Sequence, residues 1–200
     1  DFYIYMGSLG SYFRKNLKDY SLNSKRFIRA DDKKTSFFKT KLQSDKNQKI
    51  IGISWNTKSS NIMSNFRNIE LKNLIENLKN ENLKFVNLQY GDVSKEIKEI
   101  SKKFGINIIT FPDLDYKNDI DGLASLISAC DKVIAIDNFT SHLSGSLGKE
   151  TKLLLPFTSD PRWGLEDRFS YIYDSVKIFR QSELGNWSNV FEELTENGSL

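Results

Sequence analysis

Two hydrophobic periods alternate along the chain from Lys49 onward. Short, almost unbroken apolar runs rich in β-branched residues occur at Lys49–Trp55 (KIIGISW), Lys84–Gln89 (KFVNLQ), Ile106–Phe111 (INIITF), Lys132–Ile136 (KVIAI) and Thr151–Pro156 (TKLLLP). Runs of this kind are expected of strands buried on both faces of a parallel sheet. Between them the apolar spacing changes to that of helices. Leu71, Leu74, Ile75 and Leu78 form one stripe, Ile97, Ile100 and Phe104 a second, and Leu143 and Leu147 a third, while DIDGLASLISAC predicts a helix with Asp119 or Asp121 near its start. Five strands alternating with four helices predict an α/β fold, a parallel sheet with helices on both faces and right-handed crossovers. Ligands of such sheets bind at the carboxyl ends of the strands, where Trp55, Gln89 and Asp137 fall. Beyond Pro156 the pattern predicts a short strand, VKIFR, and a closing helix from about Trp187. Trp163, Tyr173 and Phe179 are expected to be buried, because that many exposed rings would leave a large apolar patch.

The first 48 residues lack this order. Phe2, Ile4 and Met6 alternate with Tyr3 and Tyr5 as in a short strand, GSLGS interrupts them, and a Lys-rich polar stretch follows. The expected organisation is residues 1–48 as the end of an amino-terminal domain plus linker, and 49–200 as the sheet domain. The start at Asp1 without an initiator Met suggests a fragment. Lys25 to Lys41, the densest basic stretch, reads as a solvated connector despite Phe27, Phe37 and Phe38.

Composition narrows the chemistry. With 200 residues, 38% hydrophobic and 28% charged residues and three prolines, the chain can bury a substantial core. No apolar run approaches the roughly 20 residues of a membrane helix, and the amino terminus lacks the basic flank of a signal peptide. A net charge of +3 without a recognisable binding motif argues against a nucleic-acid partner. A single cysteine, Cys130, excludes an internal disulfide and a cysteine-based zinc site, and its apolar context suggests core packing. One histidine excludes a multi-histidine metal site.

The candidate chemistry sits in Lys132–Gly148, KVIAIDNFTSHLSGSLG, a predicted strand, turn and helix. Asp137 and Asn138 favour turns and helix caps. The helix beginning near Thr140 has no acidic residue in its first turn, so its backbone N–H groups and positive dipole end beside Thr140, Ser141 and His142 suit a phosphate. The same residues would also serve an ordinary strand and helix, with His142 filling the core. Neither G-x-G-x-x-G nor a P-loop lysine follows the first strand. Ser141 and His142 point about 100° apart on a helix and no G-x-S-x-G elbow exists, which excludes a serine hydrolase.

IGISW, LQYGD, ASLISACDKVIAIDNFTSHLSGSLGK, LLLPFTSDPRW and VKIFRQSELGNW, in this order and spacing, resemble the carboxyl-terminal domain of GT-B glycosyltransferases related to ADP-heptose:lipopolysaccharide heptosyltransferases. Within these they resemble the tetratricopeptide-linked bacterial branch. The resemblance covers about residues 49 to 195 and implies a Rossmann-like sheet, the carboxyl-terminal half of a GT-B fold. It also implies that Asp137, Asn138, Thr140, Ser141 and His142 surround the diphosphate and sugar of a nucleotide-sugar donor. Gln89, Gly91 and Asp92 would lie near the nucleoside, and the loop after Trp55, with Lys58 and Arg67, would border the same cleft. The catalytic base is expected in the amino-terminal half. Asn138 and Pro161 stand where the branch carries a threonine and a tryptophan, and Gly122 and Leu123 replace its D-T pair.

The activity this implies is metal-independent transfer of a sugar from a nucleotide-diphosphate sugar, with no cofactor, to an acceptor that is a glycan, a lipid-linked saccharide or a protein. The implied location is cytoplasmic or peripheral at the inner membrane. The altered motif positions motivate a second reading, a degenerate domain of the same fold that only binds a nucleotide or a protein.

Overall fold

The computed structural model of the chain describes residues 3–20, 26–43, 48–58, 66–165 and 168–196. Six strands, β1 (Lys49–Ser54), β2 (Leu83–Asn87), β3 (Ile108–Ile109), β4 (Lys132–Ile136), β5 (Thr151–Leu155) and β6 (Val176–Arg180), form one sheet in the order β3-β2-β1-β4-β5-β6, and every pairing is parallel. The helices are α1 (Gly10–Phe13), α2 (Asp32–Leu42), α3 (Leu71–Leu78), α4 (Ser94–Phe104), α5 (Ile120–Ala129), α6 (Phe139–Ser146) and α7 (Ser188–Glu196). None of the described helices is long and apolar enough to cross a membrane.

Side-chain alternation explains why both sheet faces are dry. Ile51 and Ile53 of β1 point to the face covered by α3, α4 and α7, where Leu74, Ile75, Ile100 and Leu194 meet Phe85, Ile136 and Phe179. Ile50 points the other way, to Val86, Val133 and Ala135, under α2, α5 and α6. Gly52, two residues on, shares that second face, where a Cβ would overlap the Leu88 side chain and lie 3.2 Å from Cys130 Sγ. Cys130 is buried in this cluster, and burial pushes its thiol up to about 12. Local capping fixes the helix starts. Asp31 accepts from Lys34 N at 2.7 Å and Asp119 from Gly122 N at 2.8 Å, while Gly105, at φ +65°, closes α4 in the left-handed conformation.

Four expectations change. The third strand is two residues rather than six. It lies at the sheet edge, and past Ile109 the chain turns away, the Phe111 N–H donating to the Tyr116 hydroxyl at 2.9 Å instead of to a ladder. The expected strand VKIFR forms, but the sheet has six strands rather than five, because it pairs in parallel along all of β5. The basic stretch is no solvated connector over 32–42: α2 buries Phe38 and Leu42 against α5 and the 111–114 turn, Phe38 lying 4.8 Å edge-on to Phe111. Among the described residues 3–13 there is no strand, only a 3-10 turn at Met6–Ser8 and the single turn of α1, with Tyr3, Tyr5, Met6, Tyr12 and Phe13 exposed; Phe2 lies outside the described residues.

The expected burial of the late aromatics holds for Trp163 and Phe179, and Tyr173 is half-buried.

Candidate functional site

The site is built around Asp137, the first residue past β4. Only 6% of it is exposed, and both carboxylate oxygens are engaged: Oδ1 accepts from the Trp163 indole Nε1 at 2.9 Å and Oδ2 from Arg67 Nη1 at 3.3 Å. Trp163 is wholly buried and ends a 3-10 turn, Pro161–Trp163, that Asp160 caps by accepting from Arg162 N at 3.0 Å. The same carboxylate takes Arg162 Nη2 at 2.8 Å, and this pairing holds the Asp160 carboxyl below its usual range. Arg180, reaching from β6, fastens the turn from beneath by donating to Ser159 Oγ and to Gly164 O at 3.0 Å. Gln181 beside it accepts from Phe157 N and Gly185 N at 3.1 Å each. The late F-R-Q residues therefore shape the loops after β5 and β6.

His142 lies in the first turns of α6. Its imidazole stacks on Trp163, centroids 4.7 Å apart and planes 23° apart, and Nδ1 is 3.2 Å from the Tyr173 hydroxyl. Burial pulls its basicity below the ordinary histidine value, Arg162 adds to this, and Asp137 and Asp160 oppose it. The ring is accordingly neutral at pH 7, with one nitrogen a donor and the other an acceptor.

These groups border a cleft of about 470 Å³ at the carboxyl ends of the strands. Arg67, Asp137, Asn138 and His142 line it, joined by Arg162, Asp160 and Lys117, with Thr57, Phe139, Tyr90 and Tyr116 on its walls. A recess of about 490 Å³ continues from it past Tyr90, Tyr116 and Lys117 to Lys58 and Gly91. Gly91, at φ +86°, lets the chain turn there and leaves room for Lys58 Nζ against its backbone. The Tyr90 hydroxyl accepts from Lys58 N at 2.9 Å, which ties the loop after β1 to the end of β2.

Several expected site residues do other work. Trp55 is wholly buried among α3, α4 and β1 side chains, its indole donating to Glu96 at 3.3 Å. Gln89 is buried and its Oε1 collects Trp55 N at 3.0 Å and Asn56 N at 2.9 Å, stitching β1 to β2. Thr140 and Ser141 are buried, Ser141 Oγ donating to Asn138 O at 2.7 Å. Asp92 is exposed at the start of α4, where Ser94 donates to it and holds its carboxyl below the usual range. The amino end of α6 is already occupied. Asn138 Oδ1 accepts from Thr140 N at 3.0 Å and Ser141 N at 3.4 Å, while Nδ2 donates to Ser54 Oγ at 2.8 Å. Side chains, more than free helix N–H groups, therefore supply the positive lining of the cleft. The residues that sequence reasoning missed are Tyr90, Tyr116, Lys117, Asp160 and Arg162. Tyr90, Asp160 and Arg162 lay inside quoted motifs; Tyr116 and Lys117 lie in an irregular loop with no periodic signal. Among the described residues no three His, Cys, Asp or Glu side chains gather as metal ligands would.

No family model matches the chain. Over 103 residues, 52% of the chain, it is 37% identical to Protein FlbA of Caulobacter vibrioides, of which the match covers 17%. In three dimensions it is similar to E. coli ADP-heptose lps heptosyltransferase II, with a TM-score of 0.57 and 14% identity over 84% of the chain and 51% of that structure. It is also similar to the glycosyl transferase family 9 structure from Veillonella parvula, with a TM-score of 0.53 and 12% identity over 77% of the chain and 42% of that structure. The chain thus spans about half the length of the solved structures it matches. Its six parallel strands under two helical layers are a Rossmann-like fold matching that of GT-B glycosyltransferases.

Proposed function

We propose that this chain is the donor-binding, carboxyl-terminal half of a glycosyltransferase related to the heptosyltransferases, moving a sugar from a nucleotide-diphosphate sugar to a glycan or other acceptor. The observation that carries the reading is the cleft itself: at the carboxyl edge of the sheet, Arg67, Arg162 and Lys117 converge beside a neutral histidine, with Tyr90 and Tyr116 toward the adjoining recess. Cationic and hydrogen-bonding groups suit a diphosphate, and flat rings suit a nucleoside. The relation to the tetratricopeptide-linked branch rests on the motif order.

In this mechanism the acceptor oxygen attacks the anomeric carbon while the bond from that carbon to the phosphate oxygen breaks. The electron pair leaves with the diphosphate, and the acceptor's proton passes to a base contributed by the other half of the enzyme. Arg162, Arg67 and His142 face the charge that grows on the departing oxygens, an electrostatic contribution fixed in place before the reaction. The two guanidinium groups oppose that charge, and the neutral imidazole offers it a hydrogen bond, without a metal ion. Asn138, already capping α6, favours a second reading in which the domain binds a nucleotide or protein without turnover.

Calorimetry with UDP, GDP, ADP and CMP, each with and without EDTA, tests the proposal. One nucleoside diphosphate is expected to bind in preference to the rest, and equally in EDTA. The 200-residue chain should bind it yet transfer no sugar. Measurable turnover by this chain would show that the division of labour is wrong, and binding of none of the four would favour the protein-binding reading.

A further inference from the structure

His142 does not hold itself in place, and the side chain that holds it lies outside the cleft. Tyr173 sits in the turn before β6, where Tyr173 N and Ile172 N both donate to Ser170 Oγ, at 3.2 and 3.1 Å. Its ring is confined on three sides. A Cβ on Gly145 of α6 would meet it at 2.6 to 3.0 Å, so the close approach of helix and ring requires glycine at 145. Phe27 packs on it edge-on at 5.9 Å and 87°, its own N–H anchored to Ser146 O at 2.8 Å. Trp163 lies 6.1 Å away and fixes the plane of the imidazole between them.

We propose that Tyr173 is a positioning residue: its hydroxyl donates to His142 Nδ1, which holds the imidazole as the Nε2–H tautomer and leaves that N–H as the donor the ring offers the cleft. Two considerations set the direction of the bond. A neutral imidazole has one acceptor nitrogen, and burial keeps this ring neutral. Between a phenol and an imidazole, the phenol is the stronger acid and the unprotonated ring nitrogen the stronger acceptor, so the O–H···N arrangement is favoured over N–H···O. With Nδ1 occupied and one face against Trp163, Nε2 is the remaining polar atom of a residue that lines the cleft. A donor is what an anionic oxygen needs there, so the inference rests on the reading of the cleft as a diphosphate site.

The chain has a single histidine, so nitrogen-15 spectra of the imidazole report this ring alone. In the wild type at pH 8 we expect a proton on Nε2 and an Nδ1 resonance displaced as for a hydrogen-bonded acceptor. Tyr173→Phe keeps the ring and removes one oxygen. It should return Nδ1 to the position of an unbonded nitrogen and raise the pH at which the ring titrates, because a bond favouring the neutral form is lost while Asp137, Asp160 and Arg162 still face it. Gly145→Ala, which displaces the tyrosine with its hydroxyl intact, should reproduce the Nδ1 change. A purely packing role for Tyr173 would leave the nitrogen resonances of Tyr173→Phe unmoved, and that result, or a proton found on Nδ1 in the wild type, overturns the proposal. Titration with inorganic pyrophosphate separates the two levels. Several-fold weaker binding by Tyr173→Phe supports the positioning role. Absence of binding by the wild type removes the diphosphate reading, while the spectra still judge Tyr173 by themselves.

Discussion

Asp137→Ala should lower the melting temperature by about 6 to 12 °C. The carboxylate is the acceptor for a wholly buried indole N–H and for Arg67 at once, so its removal orphans a buried donor and breaks a charge-assisted contact. The two losses together amount to about 3 kcal/mol, and in a chain of this length each kcal/mol shifts the midpoint by about 2–4 °C. Asp137→Asn provides the control. Its carboxamide oxygen still receives the indole N–H, while the amide nitrogen takes the place of the oxygen that accepted from Arg67, so that contact is lost and about half the destabilisation should remain. Because a carboxylate facing the cleft repels an anion, Asp137→Asn should bind a nucleoside diphosphate at least as tightly as the wild type. A thermal melt of Asp137→Ala within 2 °C of the wild type would show that Trp163 and its turn are held by other means.

The second large effect concerns binding. His142→Ala and Arg162→Ala should each weaken diphosphate binding about ten- to a hundredfold, since hydrogen bonds involving a charged partner contribute about 1.5–3 kcal/mol. Nucleoside affinity should be unchanged in both. Arg162 is paired with Asp160 at 2.8 Å, but both partners are substantially exposed, and exposed pairs contribute only about 0–1 kcal/mol. On the diphosphate reading, a phosphate should therefore win the guanidinium from Asp160. If the two residues share one diphosphate, as proposed, the double variant should lose less than the two single losses added together. Titrations of the three variants beside thermal melts decide the matter. If a well-folded His142→Ala retains the wild-type diphosphate affinity, the histidine merely fills space against Trp163.

The strands and helices between Lys49 and Leu155 were legible because burial imposes a period. Leu71, Leu74, Ile75 and Leu78 fall on one face of α3, and Val133–Ile136 have no polar side because β4 has no wet side. What escaped was set by distant partners. Helix α2 has only Phe38 and Leu42 as buried anchors in a Lys-rich segment, so its docking depends on α5, nearly a hundred residues later. VKIFR was recognisable as a strand, but its place beside β5 is a matter of register between segments. The site divides in the same way. Asp137, Arg67 and His142 were named from sequence and meet at one cleft. Thr140 and Ser141 were named for the same polarity and turned inward, because a small hydroxyl at a helix start can serve its own backbone as readily as a ligand. Gln89 shows the converse: a polar side chain at a strand end spends its oxygen on the neighbouring backbone.

The strand order also carries a cost in time. β1 lies between β2 and β4, and the contact from Ile50 N to Asp131 joins residues 81 positions apart. On a ribosome adding about 5–20 residues per second, the β4 side of β1 waits about 4 to 16 s after emergence for its partner. During that interval β1, β2 and β3 can assemble, but the row of backbone donors and acceptors along Ile51–Ser54 stays unpaired beside bare isoleucines, the kind of edge on which other nascent chains add. The vulnerable moment in the life of this fold therefore falls in synthesis, and a chaperone that shields apolar segments should raise its yield most in the interval between the emergence of β1 and that of β4.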